Sequence, residues 1–429
     1  MKCLKLITVL SLILLPTLCQ AADDGYGYPI QSSYGATIMG TPATLKPELP
    51  KSINSKRLLL EVIPGLSVPE VFYYNEGLRC TFAYQDKKAP LIFLIAGTGS
   101  GDQSPKLVTL MKAYYQAGFH VVTLPSPTHP NFVISASQSH IPGDLTEDAA
   151  DLYLAMESVW KRVKEDIEVS EFLIGGYSLG GTQAAFVAKL DEEKKSFNFR
   201  KVLMINPAVN LYDSVRRIEG TLDNIPGGSK NVVKFTNSVL NKFTEFYSHG
   251  QHVAFNDNFL YALATSKVFS QEDAGGLIGV SFRISSAGMI FSSDVMTNGG
   301  YVVPKNRVLT ASDDLTGYFR VSTHLSFLDY FEEYFYPYFQ KKRPGLTKEA
   351  LIASMSLKSI EAYLKASPKF GVMTNENDLI LSPDEVTYLK QLFGERTKVY
   401  PRGGHLGNLE YKDNLAYAVD FFKQSGGNQ

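Results

Sequence analysis

Hydrophobic and polar positions change rhythm several times along the chain. From about residue 68, apolar runs of strand length alternate with segments of helical period. The run Leu91–Ala96 in "APLIFLIAGTGSG" is continuous and ends in glycines, which suits a strand buried on both faces. "SPKLVTLMKAYYQAGF" predicts the next helix, with Ser104 as N-cap, Pro105 at its first position and Gly118 closing it. "HVVTLP" predicts a strand. From Asp144 to about Glu165, Leu152, Met156, Val159 and Val163 recur on one side of an amphipathic helix. "EFLIGG" then predicts a strand, "LGGTQAAFVAKL" a helix and "RKVLMINPA" a further strand. Ahead of them, "VFYYN" and "LRCTFAYQ" are expected as a pair of early strands.

Between about residues 209 and 366 the alternation stops, and helical and irregular segments take over. In "HLSFLDYFEEYFYPYFQKKRPG", Phe327, Phe331, Tyr334 and Tyr338 fall at helical spacing, and Pro337 is expected to break or kink that helix. These rings suit either the core of a cap or the wall of an apolar pocket. The rhythm then resumes with the strand "PKFGVMTNEND", the helix "SPDEVTYLKQLFG" with its Ser382/Glu385 capping box, the strand and loop "TKVYPRGGHLG", and the closing helix "NLAYAVDFFKQ". Repeated strand–helix alternation implies a mostly parallel sheet with helices on both faces. The divisions expected are 1–21 as an export signal, 22–64 as an extended arm rich in Gly, Pro, Tyr and Ser, 65–208 with 366–429 as the α/β core, and 209–365 as an insertion.

Composition narrows this further. A chain of 429 residues, 44% hydrophobic and 20% charged, can bury a large core. Its formal net charge of −1 gives no reason to expect a nucleic-acid partner. The start, "MKCLKLITVLSLILLPTLCQAADD", has the positive end, short apolar run and small-residue exit of a secretory signal, and removing Lys2 and Lys5 takes the charge from −1 to −3. The apolar run is too short to span a bilayer comfortably, so the mature chain is expected to lack a transmembrane helix and to reside in the periplasm or outside the cell. Leu18 ahead of Cys19 disfavours a lipid anchor there, although peripheral envelope association stays open. Of three cysteines only Cys80 is clearly in the mature chain, so no intrachain disulfide is expected.

Candidate chemistry gathers where such sheets carry their sites, beyond the carboxyl ends of the strands. Gly176-Tyr177-Ser178-Leu179-Gly180 matches G-x-S-x-G between a strand and a helix, the setting in which that motif exposes a serine hydroxyl on a strained turn. Asp378 follows a later strand in "TNENDLIL", and His405 follows the last strand behind two glycines in "PRGGHLG". Serine is a weak nucleophile until an imidazole takes its proton, and a carboxylate then fixes the ring's tautomer. Glu376, Asp384 and, more weakly, Asp213 are alternative acids. An oxyanion would need backbone N–H donors, of which Leu179 is one candidate and Thr98 in "AGTGSG" the other, with Gly99 beside it. That loop lacks the Gly-Lys-Ser/Thr ending of a phosphate loop, and Asp102 stands where G-x-G-x-x-G needs its last glycine, so neither nucleotide motif is present. His249 and His252 in "SHGQH" have no cysteine or acidic cluster beside them, and no metal site is expected.

On "GYSLG", "AGTGSG", "NDLIL" and "GGHLG" the chain resembles the α/β-hydrolase superfamily, over roughly residues 65–208 and 366–429. The resemblance implies an α/β-hydrolase fold with a mainly helical cap or lid inserted before the acid-bearing strand. It also implies a Ser178–His405–Asp378 mechanism without metal or organic cofactor. One departure is Ala96-Gly97 where a His-Gly often opens the oxyanion loop. The expected substrate is a small-molecule or lipid-like ester with an apolar acyl part, with Tyr177, Gly99 and His129 placed on the substrate side. Acyl transfer, thioester or peptide cleavage on the same residues, and a non-catalytic envelope binding protein, are the competing readings.

Overall fold

The computed structural model describes residues 25–248 and 273–424. The leader with Cys3 and Cys19, and His249 and His252, lie outside the described residues.

Eight strands form one sheet: β1 Ser55–Leu60, β2 Leu78–Ala83, β3 Ala89–Ile95, β4 His120–Leu124, β5 Val169–Tyr177, β6 Val202–Ile205, β7 Phe370–Asn375 and β8 Thr397–Tyr400. Their order is β1-β2-β4-β3-β5-β6-β7-β8. β2 pairs antiparallel with β1 and β4, and the remaining neighbours are parallel. Alternating side chains separate two cores, as period-2 geometry requires. Leu91, Phe93 and Ile95 of β3 join one buried cluster, and Ile92 and Leu94 join the other. Val202 and Met204 of β6 likewise oppose Leu203 and Ile205. A strand with no polar face is the reason Leu91–Ala96 reads as an unbroken apolar run.

The helices that concern the site are α1 Ser33–Met39, α2 Pro105–Gln116, α3 Pro130–Ser135, α4 Leu145–Val163, α5 Leu179–Lys194, α6 Leu211–Gly220, α7 Val232–Ser248 and α8 Ala274–Thr297. Asp144 caps α4 through its carboxylate, which accepts the Thr146 and Glu147 N–H groups. This sheet order, with a mainly helical insertion between β6 and β7, is an α/β-hydrolase fold.

Several expectations change. "VFYYN" is not a strand: Pro69 lacks an N–H and opens a 3₁₀ turn over Glu70–Phe72, and Val71 and Phe72 bury against Ile134, Val303 and Leu309. The partner of β2 is "SKRLLL", whose Leu58 and Leu60 face inward while Leu59 faces out. The sheet therefore begins at Ser55, inside the stretch expected to be an extended arm. That arm also holds a helix, α1, capped by the Ser32 hydroxyl, which accepts the Gly35 N–H at 3.2 Å.

The aromatic segment is core. Its helix runs on through Pro337 because a wider π-turn over Phe331–Phe335 precedes Tyr336–Lys342 and places the proline in that helix's first turn, where no N–H is needed. Phe327 and Phe331 are buried in the main cluster, and the half-buried Tyr334 and Tyr338 pack against it. None of these four borders the cavity at Ser178.

Helix α8 is, by length and composition alone, apolar enough to cross a membrane, with mean hydropathy 1.3, yet 61% of that stretch is buried within the protein. Its apolarity serves packing: side chains at Gly276 and Gly279 would sit 2.4 Å from Ile225 and 2.6 Å from Leu222.

Candidate active site

The turn between β5 and α5 carries Ser178 at φ 56°, ψ −129°, a conformation that costs a non-glycine residue energy and clusters at functional sites. The turn exists because its neighbours are glycines. A Cβ on Gly176 would lie 2.4 Å from the Gly180 carbonyl oxygen, and one on Gly180 would lie 2.3 Å from Ile95 O and 2.4 Å from Ala96 O. These clashes are with backbone, which has no rotamer to escape into. Gly180→Ala is therefore expected to destabilise the fold by about 3 kcal/mol or more, read as a lowered denaturant midpoint. A midpoint within error of wild type would show that the strand and helix ends can part.

Two later loops meet the serine. His405 Nε2 lies 2.9 Å from Ser178 Oγ, and His405 Nδ1 lies 3.0 Å from Asp378 Oδ1. The Asp378 side chain is fully buried. Its second oxygen accepts from Asn206 Nδ2 at 2.8 Å, and Oδ1 also accepts the Ile380 N–H at 3.1 Å. With a carboxylate at Nδ1, the ring carries its proton there and offers a bare Nε2 to the serine hydroxyl. The alternative acids lie elsewhere. Glu376 is exposed and paired with Lys390, Asp384 is exposed in the first turn of Pro383–Phe393, and Asp213 faces Arg216 at 3.7 Å on α6.

The loop after β3 lies against this turn. A Cβ on Gly97 would be 2.7 Å from the Tyr177 ring and 3.1 Å from Ser178 Cβ. The Gly99 N–H is spent on Thr128 Oγ1 at 2.8 Å. The Leu179 and Thr98 N–H groups make no hydrogen bond among the described residues and stand at the first position of α5 and in the adjoining loop. Asp102 anchors the loop from below, accepting from Arg57 at 3.1 Å and from Thr81 at 2.7 Å. The residue that spoils the dinucleotide motif thus ties the loop to β1 and β2.

A cavity of about 500 Å³ opens over Ser178 and His405. Its polar wall is the Gly97–Gly101 loop, and α8 supplies an apolar wall through Ile278 and Phe282. Ser285 of α8 rests on Gly99, where an added Cβ would come within 2.9 Å. Tyr177 borders the cavity, but it is buried and its hydroxyl is bonded to Ser104 Oγ at 2.9 Å. His129 borders it too. It caps α3, its Nδ1 accepting the Asn131 N–H at 3.2 Å, and burial pushes its pKa down to about 4. The ring is then neutral near pH 7, and with Nδ1 accepting, its proton sits on Nε2, beside Gly101. Among the described residues no cluster of His, Cys, Asp and Glu is suited to a metal ion. Cys80 is buried and burial pushes its thiol well up, which makes it unreactive.

Sequence reasoning missed Asn206 and α1. Asn206 follows β6 directly and adopts φ 47°, a conformation asparagine tolerates. Its place at the carboxyl end of a central strand was the available signal.

The fold and this geometry define a chain of the α/β-hydrolase fold with a serine, a histidine and an aspartate in hydrogen-bonded sequence. No protein-family profile and no curated protein matches it. Solved structures that resemble it are distant. An esterase of Pyrococcus furiosus is 10% identical, with 90% of this chain and 97% of that one covered at a TM-score of 0.42. A bacterial membrane phospholipase A is 13% identical, with 86% of each chain covered at 0.42. An esterase of Rhizomucor miehei is 13% identical, with 91% and 86% covered at 0.40. At these scores none of them bears on what this chain does.

Proposed function

We propose that the protein is a serine hydrolase that cleaves a carboxylic ester through an acyl-enzyme. The observation that carries this reading is the unbroken relay from Ser178 Oγ through His405 to a fully buried Asp378, opening into a cavity with one apolar wall. Ser178 attacks the ester carbonyl while His405 Nε2 takes its proton. Asp378 holds the ring and balances the imidazolium. The negative oxygen is held by the Leu179 and Thr98 N–H groups, at the start of a helix whose dipole favours negative charge. His405 returns the proton to the departing alcohol, and a water activated by the same nitrogen releases the acid. Ile278 and Phe282 favour an apolar acyl group over a charged one. The signal-like leader supports export, which cell fractionation with an epitope-tagged chain checks.

The test is direct. Purified protein is incubated with a fluorophosphonate and, separately, with short and medium acyl esters. One equivalent of label on Ser178 and turnover of at least one ester are expected. An intact fold that takes no label would end this reading, and an acyl group delivered to an added alcohol in preference to water would redirect it to acyl transfer.

A further inference from the structure

His405 sits in the loop between β8 and the closing helix Lys412–Lys423, and that loop is moulded on a distant part of the chain. A Cβ on Gly404, which adopts φ 56°, would lie 2.2 Å from Ser33 O; one on Gly407 would lie 2.0 Å from Ala36 O. Ser33 and Ala36 belong to α1. Only glycine allows the loop to approach the helix so closely.

The contact reaches the histidine itself. The His405 N–H is donated to Thr37 Oγ1 at 2.9 Å. The Thr37 hydroxyl hydrogen is already committed to Ser33 O at 2.8 Å, so its oxygen faces His405 as an acceptor. The same helix reaches the acid's loop: Ser33 Oγ donates to Asn377 O at 2.7 Å. Asn377, next to Asp378, accepts the Gly403 and Gly404 N–H groups at 3.0 and 2.9 Å. Flanking contacts hold α1 in place. Arg402 donates to the Tyr28 carbonyl at 2.7 Å, Thr41 to Gly407 O at 3.0 Å, and Tyr26 stacks on Tyr400 at 5.1 Å.

We propose that α1, acting through the Thr37 hydroxyl, positions His405 between Ser178 and Asp378, so that the N-terminal segment is a working part of the relay. This rests on the hydrolase reading above. Thr37 is a positioning residue: it touches the backbone of His405, and its effect on chemistry passes through the ring. Its side chain also edges the cavity, so a lost acceptor and a changed shape must be separated.

Two substitutions separate them. Thr37→Val keeps the shape and removes the acceptor, leaving the His405 N–H unsatisfied. Thr37→Ser keeps the acceptor and loses a methyl group. With a short-chain ester, Thr37→Val is expected to lower kcat on the order of tenfold or more, since small misplacement of a catalytic group is costly, with KM changed by less than about twofold; Thr37→Ser keeps most of the activity. Thermal unfolding of both variants verifies that they are folded. The reverse order, with serine impaired and valine normal, or two variants equal to wild type, would overturn the proposal.

Hydrogen exchange at the His405 amide gives a readout independent of catalysis. Protection is expected in wild type and Thr37→Ser, and exchange about tenfold or more faster in Thr37→Val. Unchanged protection in Thr37→Val overturns the positioning role whatever the substrate. Lost protection in a protein that takes no fluorophosphonate supports that role while the hydrolase reading fails.

Discussion

Replacing Ser178 by alanine is expected to reduce ester turnover on the order of 10⁴-fold or more and to abolish fluorophosphonate labelling, with the fold intact. The size follows from what is lost. Without the hydroxyl no acyl-enzyme forms, and His405 can act only on water, which is neither tethered nor aligned. The intact fold follows from how little else the hydroxyl does. Ser178 Oγ bonds to His405 and does not cap α5 through its side chain. Alanine has the same Cβ at the same φ, so the strain in the turn is unchanged. Kinetics with the most active ester, together with a denaturation curve, check both halves. Turnover by Ser178→Ala close to wild type would remove the serine from the mechanism.

Asp378→Asn is expected to lower kcat/KM about 10³- to 10⁴-fold, with KM little changed. The carboxylate now accepts from three donors: His405 Nδ1, Asn206 Nδ2 and the Ile380 N–H. An amide has one acceptor oxygen and one NH₂ group. If its oxygen stays on His405, its NH₂ meets the NH₂ of Asn206. If the amide turns over, its NH₂ faces Nδ1, the ring proton moves to Nε2, and the base that serves Ser178 is gone. Either way no carboxylate remains to balance the imidazolium. The side chain is fully buried, so water cannot substitute. Steady-state kinetics and the rate of fluorophosphonate labelling should fall together. A variant with near-normal labelling would mean that another group orients His405.

The parts of the fold that were legible rest on local regularities. β3 stood out because a strand buried on both faces must be apolar at every position. Helix α4 stood out because one face repeats at 3.6 residues. The turn at Ser178 could be placed because its glycines lie within two positions of the serine, between a strand and a helix. The misread elements share the opposite property. "VFYYN" has the composition of a strand, and Pro69 together with burial against the insertion made it a turn. The rings from Phe327 onward have helical spacing whether they line a pocket or a core, and only the neighbours of that helix distinguish the two. Helix α8, which walls the cavity, carries no chemical motif; small residues at its contacts let it come close.

By itself, the sequence determined the core strands from β2 onward, the longer helices between them, the strained turn, and the identity and order of Ser178, Asp378 and His405, because short-range periodicity and turn chemistry encode these. Only the tertiary structure decided that Asn206 supports Asp378, that α8 forms one wall of the cavity and that Thr37 meets His405 across 368 residues of chain. Such contacts depend on which surfaces the folded sheet brings together. They leave no periodic trace in the residues that make them.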